Sequence, residues 1–306
     1  MCLGLILFPY MIYFFEINMT SADGYAPDAG VAVQEAIDII YQMKKARSPT
    51  ISHYPIQSEE DIDKLQAPDV KTAGLFPVAM EFSKLCEKNH MPIIIHSGSI
   101  LTRAGAICGV DNLGRWMLKK PAIVHKLLRV VTDHCINIVR FWADTFGAER
   151  VTPYSWAPTE SNKVVSPKQF KEFAFPYIKE FHEKVLAMGV RQFMCHICGE
   201  QTANLPYWSQ VPMGNPGIVT FGHEVDLTTA INYFGDKCII AGNIEPQIIQ
   251  NGTPQQVYEL ARQCIDKAKY APKGFILTAE CELPPIAPPY NVYMMKKAVM
   301  DFGWYD

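Results

Sequence analysis

"RQFMCHICGE", Arg191 to Glu200, begins polar, turns apolar and ends with Cys195, His196, Cys198 and Glu200 in close succession. A short apolar run that stops in polar chemistry has the form of a parallel strand delivering side chains to the carboxyl end of a sheet. The same form recurs along the 306 residues. Predicted strands are Met11 to Ile17, Pro92 to His96, Arg150 to Ser155, Arg191 to Cys195, Gly217 to Gly222, Cys238 to Gly242 and Gly274 to Thr278. Polar groups stand at or just past the ends of most: His96-Ser97, Tyr154-Ser155, His196 to Cys198, His223-Glu224, Asn243 to Glu245 and Glu280-Cys281.

Helical segments separate these strands. Ser58 with Asp61 has the spacing of a capping box, and Ser166-Pro167 and Thr253-Pro254 each offer a hydroxyl cap followed by proline at the first helical position. Ala122 to Phe146 and Pro167 to Met188 carry apolar residues at helical spacing. Alternating units of this kind build an α/β protein, either an open doubly wound sheet or a closed barrel. The chain has no GxGxxG and no P-loop, whereas several strand ends contribute chemistry to one face. The expected fold is therefore a (β/α)8 TIM barrel of seven or eight countable strands. No linker divides it, so residues 1–306 are expected to form a single catalytic domain. The start, "MCLGLILFPYMIYFF", is uncharged, lacks a basic leader and falls short of the about 20 residues of a membrane span. It predicts a buried or edge strand in an atypical or incomplete N-terminal region.

Composition narrows the function. Hydrophobic residues make up 49% and charged residues 19%, enough for a large core, and the net charge of −3 with scattered arginines excludes a nucleic-acid surface. The nine cysteines lack the spacing of a secreted disulfide scaffold, which points to a reducing cytoplasm. No membrane association is expected.

Along a strand His196 and Cys198 share a face while Cys195 points to the other, so Cys195-His196-Ile197-Cys198 is not a paired dithiol. Cys195 is expected in the core. Cys281 ends another predicted strand, and one nitrogen with two sulfurs forms a set soft enough to select zinc. Three protein ligands with a fourth position open describe a catalytic rather than a structural zinc. Glu224, or His223 beside it, is a further candidate, as fourth ligand or catalytic group. Two thiolates and a neutral imidazole leave the ion formally neutral, a soft Lewis acid suited to activating a thiol.

At these residues the chain resembles the uroporphyrinogen decarboxylase superfamily, and within it the zinc methyltransferases that work with corrinoid proteins. The resemblance runs from about Pro49 to the C-terminus through "HYPIQSEEDIDKL", "VVSPKQFKEFAFPYIKEF", "CHICGE", "GNIEP" and "CELPPIAPPYNVYMM". The His-x-Cys…Cys pattern of that branch falls on His196, Cys198 and Cys281. It implies a methyl group moving between methylcobalamin on a partner corrinoid protein and a zinc-activated thiol or small methylated substrate. Asn243, Glu245, Tyr154 and Glu160, near strand ends on the same mouth, are candidates for binding substrate. Metal-free decarboxylation of a porphyrinogen, or a non-catalytic zinc subunit of a corrinoid complex, are the alternatives. Against decarboxylation, the chain has no RxxGR motif for substrate propionates. None of its eight histidines stands in an Asp-x-His-x-x-Gly corrinoid-ligating segment, so the cobalt is expected from the partner.

Overall fold

The computed structural model describes residues 51 and 54–305; the predicted strand Met11 to Ile17 lies outside them. Six strands form one parallel sheet in sequence order: β1 Ile93–His96, β2 Val151–Trp156, β3 Met194–Ile197, β4 Gly217–Phe221, β5 Cys238–Ile244 and β6 Phe275–Ala279. Sequential order, all-parallel pairing and helical crossovers are the construction of a (β/α)8 barrel wall. Among the described residues the sheet is open between β1 and β6.

The helices of six residues or more are α1 Glu59–Lys64, α2 Phe76–Lys88, α3 Ile100–Cys108, α4 Val110–Lys119, α5 Pro121–Phe146, α6 Phe175–Ala187, α7 Leu227–Phe234, α8 Pro246–Asn251, α9 Pro254–Ala268 and α10 Pro289–Phe302. All three anticipated caps form as reciprocal capping boxes, at Ser58, Ser166 and Thr253. The segment opened by Ser166 passes through a π-helical turn, Phe170–Ala174, before α6.

Strand parity sorts the side chains. Ile93, Ile95, Val151, Cys195, Val219, Phe221 and Ile240 are buried in the core that joins sheet and helices. The alternate positions form staggered rows on the opposite face. His96 pairs with Tyr154, which pairs in turn with Met194, Ile218 and Ile239; one step toward the carboxyl end lie Trp156, His196, Thr220 and Ala241.

Two predicted boundaries shift for identifiable reasons. Strand β3 begins at Met194 rather than Arg191, because the backbone before it bonds to the loop preceding β4. Phe193 N donates to Met213 O at 2.8 Å, and Gln192 forms an antiparallel bridge with Gly214. Strand β5 continues past Gly242 because β6 pairs with it as far as Ile244 opposite Ala279. Gly242 and Asn243 therefore lie within a strand and do not form a tight turn.

Candidate metal centre

Strand β3 sets His196 on the row facing away from the helices, and the chain leaves the strand with Cys198 two positions further on. Cys281 arrives from the loop after β6. A ring nitrogen of His196 and the sulfurs of Cys198 and Cys281 lie within 4.8 Å of one another. Nδ1 of His196 is 2.6 Å from Thr220 Oγ1, its register neighbour on β4. Nε2 is left buried without a hydrogen-bond partner among the described residues. An orphaned imidazole nitrogen beside two thiols is costly unless something binds there, and a thiophilic divalent ion satisfies all three. The donor set fits zinc.

The two sulfurs are electrostatically coupled. A hydrogen bond from the Cys198 thiol, together with His196, holds Cys281 below the ordinary thiol range, and the resulting thiolate and burial push Cys198 up. Cys195 is 1% exposed and faces the core, where burial raises its pKa to about 12.

Residues that sequence patterns did not single out hold this site. The Thr220 hydroxyl orients the imidazole. Gln201, fully buried, donates through Nε2 to Cys198 O at 3.2 Å and Ala157 O at 2.8 Å, while its Oε1 accepts from Trp208 Nε1 at 2.9 Å. It pins the backbone of one sulfur ligand to the loop after β2. Gly222 is required by close approach, because a Cβ there would stand 2.8 Å from Gly199 N in the loop that follows Cys198. Only contacts between segments distant in sequence or on neighbouring loops reveal these roles.

The other candidates occupy distinct places. Tyr154 is buried on the same face of the sheet as His196, its phenol pushed well up by burial and by the nearby thiols. Trp156 donates its indole N–H to Nε2 of the buried His96. Glu224 belongs to a second cluster with His223 and Glu280. Its Oε1 pairs with Lys163 Nζ at 2.8 Å, and although burial pushes the carboxyl up, that contact brings it below the usual range. In the same cluster Glu280 accepts hydrogen bonds from both the backbone N–H and the ring of His223. Asn243 points elsewhere: its Nδ2 donates to Gly222 O at 3.0 Å and Val225 O at 2.9 Å, tying β5 to the loop that carries His223 and Glu224. Glu245 stands at the start of α8, partly exposed, without a capping bond from its side chain. Glu160 is fully buried and accepts from Ser99, Thr102 and the first turn of α3. The structure thus brings together His196, Cys198 and Cys281, sets Tyr154 and Glu224 nearby, and engages Asn243 and Glu160 in bonds that hold loops.

The model of the uroporphyrinogen decarboxylase (URO-D) family matches residues 27–302, beginning earlier than the motifs alone had placed it. The chain belongs to that family. Its relatives within the family include two kinds of enzyme. A methylated-thiol–coenzyme M methyltransferase of Methanosarcina mazei is 27% identical over 229 residues, covering 72% of this chain and 58% of that protein. A methylcobamide:CoM methyltransferase of the same organism is 24% identical, covering 84% of this chain and 73% of that protein. A uroporphyrinogen decarboxylase of Chlorobaculum parvum is 25% identical, covering 79% and 70%. A solved structure of a methyltransferase from Methanosarcina mazei superposes with a TM-score of 0.71 over 84% of this chain and 73% of that one, at 18% identity, which shows a shared fold. No helix among the described residues is long and apolar enough to cross a membrane.

Thr220 offers a direct test of how the site is built. A ligating histidine whose second nitrogen loses its partner typically weakens metal affinity by about 10–100-fold. Thr220→Val should lower zinc affinity on that scale with little change in melting temperature, as measured by competition with a chromogenic chelator, whereas Thr220→Ser should restore it. Equal affinity in the valine variant would remove the hydroxyl from the site.

Proposed function

We propose that this URO-D family member is a zinc-dependent methyltransferase. It moves a methyl group between the corrinoid of a separate protein and a thiol or small methylated substrate seated at His196, Cys198 and Cys281. The observation that carries this is the buried, unpartnered His196 Nε2 beside two sulfurs on the loops that follow β3 and β6. Zinc held there would draw the pKa of an incoming thiol down from about 8.5 toward neutrality, while thiolate ligands keep its sulfur electron-rich.

The chain's own residues do the rest. With the Nε2 lone pair given to an ion, Nδ1 would carry the proton and donate it to Thr220 Oγ1, 2.6 Å away, which holds the ring in place. Gln201 holds the Cys198 backbone. Tyr154 bounds the site on the β2 side, where its neutral phenol adds no charge that would repel a thiolate. Glu224, Asn243 and Glu245 lie along the β4 and β5 side of the mouth: Glu224 is the candidate for a fourth ligand or catalytic group, and Asn243 anchors the loop that carries it. A partner docked over this mouth would exclude water and present its methyl group to an oriented nucleophile.

The names of two relatives, a methylated-thiol–coenzyme M and a methylcobamide:CoM methyltransferase, support this choice over porphyrinogen decarboxylation. So does the soft donor set, for which a metal-free decarboxylation has no use. Purified protein should carry zinc, remain colourless and demethylate free methylcobalamin only when a suitable thiol is supplied. Elemental analysis beside the cobalamin absorbance spectrum checks this. Decarboxylation of a porphyrinogen by zinc-free protein, without methylcobalamin turnover, would reverse the choice.

A further inference from the structure

Cys198 and Cys281 differ from every other described cysteine. Cys86, Cys108, Cys135, Cys195, Cys238 and Cys264 are buried, and only these two are partly exposed. Their sulfurs lie within 4.8 Å of each other, though 83 residues separate them in sequence. A disulfide needs about 2.05 Å between sulfurs, so closure requires a shift of a few ångströms. Cys281 can supply it. It lies beyond the end of β6, in a stretch free of helix or strand up to α10, where Pro285 and Ile286 are exposed. Cys198 is held through its carbonyl by Gln201, and Glu280 by Ile244 O and His223, so the movement falls to the stretch from Cys281 onward. Cys195, three positions before Cys198, faces the core and cannot compete.

We propose that Cys198 and Cys281 are a reversible oxidation site, closing as a disulfide when the protein meets a hydroperoxide and so switching the metal centre off. The consequence for activity rests on the metal reading above; the bond itself does not. The chemistry balances. One of the two sulfurs, as thiolate, attacks the terminal peroxide oxygen, and the O–O bond breaks to give a sulfenic acid and hydroxide. The second sulfur then attacks the first, the S–S bond forms, and water leaves. Two thiols are oxidised as one hydrogen peroxide is reduced to two waters. Neither sulfur of the disulfide retains the negative charge that makes it a strong zinc ligand, leaving His196 alone to hold an ion. A thiol reductant restores both ligands.

The test uses the full chain stripped with a chelator and treated with stoichiometric hydrogen peroxide. Intact mass should fall by two hydrogens and two titratable thiols should disappear. Peptide mapping should show Cys198 joined to Cys281, and dithiothreitol should reverse all three changes. Cys195→Ser should behave like the parent, whereas Cys198→Ser and Cys281→Ser should each form no internal link. Sulfinic acid on one sulfur, or a link to another cysteine, would overturn the proposal. In a parallel arm, protein preloaded with zinc should release the ion to a chromogenic chelator in step with disulfide formation. If the disulfide forms but the chain never took up zinc, the metal reading fails and the oxidation site stands. If zinc is bound and no disulfide forms in either arm, the oxidation site fails and the metal reading stands.

Discussion

Replacing Cys281 by alanine should empty the site of zinc, and His196→Ala and Cys198→Ala should do the same. Each removes one of three protein donors, a larger loss than the about 10–100-fold cost of a missing outer partner. The sulfurs should weigh most, because a thiolate both donates strongly and neutralises the charge of the ion in a half-buried setting. In Cys281→Ala the neighbouring thiolate that pushes the Cys198 thiol up is gone, so Cys198 ionises more readily, yet one sulfur and one imidazole leave the ion only two protein donors. Cys195→Ala separates sulfur chemistry from sulfur packing. That side chain is 1% exposed on the core face, so its loss should cost about 1 kcal/mol of stability through a small cavity while zinc stays bound. Elemental analysis after dialysis against a weak chelator distinguishes the cases. Full zinc retention in Cys281→Ala would overturn the assignment of this ligand.

The contrast between Cys195 and Cys198 also shows what the sequence makes legible. Side chains alternate along any strand, so the separation of the two cysteines onto opposite faces follows from spacing alone. The barrel wall was readable on the same basis, from short apolar runs, polar strand ends and three capping boxes that form where the residues stand. Register between strands is another matter. Thr220 supports His196 only because β4 pairs with β3 so that those two residues are neighbours, and no local pattern announces that. Gln201 lies three positions from Cys198 and in sequence resembles a polar loop residue; its role comes from Ala157 and Trp208 closing around it. Asn243 shows the converse. Gly-Asn carries the composition of a turn, but pairing with β6 keeps both residues in β5 and directs the amide to two loop carbonyls.

Glu160 is where sequence and structure diverge most, and its replacement should have the largest effect on stability. A carboxylate near a strand end at a barrel mouth is a natural substrate ligand, yet this one is fully buried. Oε1 accepts from Leu101 N at 3.2 Å and Thr102 N at 3.3 Å, and Oε2 from Thr102 Oγ1 at 2.6 Å, with the Ser99 hydroxyl also on Oε1. Ser99 stands at the cap of α3 but makes no capping bond of its own, so a carboxylate from another loop satisfies the open N–H groups and faces the positive end of the helix. Glu160→Ala would strand four donors in a dry site, which at 1–3 kcal/mol for each buried unsatisfied group should cost about 3 kcal/mol or more. Glu160→Gln keeps an acceptor for the helix and should lose far less. The pH dependence separates the two further. Burial raises the Glu160 pKa above its ordinary 4.5, outweighing its hydrogen bonds, so the folded state binds the proton more tightly than the unfolded chain. The stability this contributes is complete below the unfolded pKa and is lost as pH rises through the folded pKa. Glutamine does not titrate. The stability gap between the parent and Glu160→Gln should therefore move in favour of the variant as pH rises from 4.5 toward neutrality, as measured by urea unfolding across that range. A gap independent of pH would show that Glu160 titrates alike in both states. A Glu160→Gln protein with parental stability but no turnover would instead return the residue to the substrate.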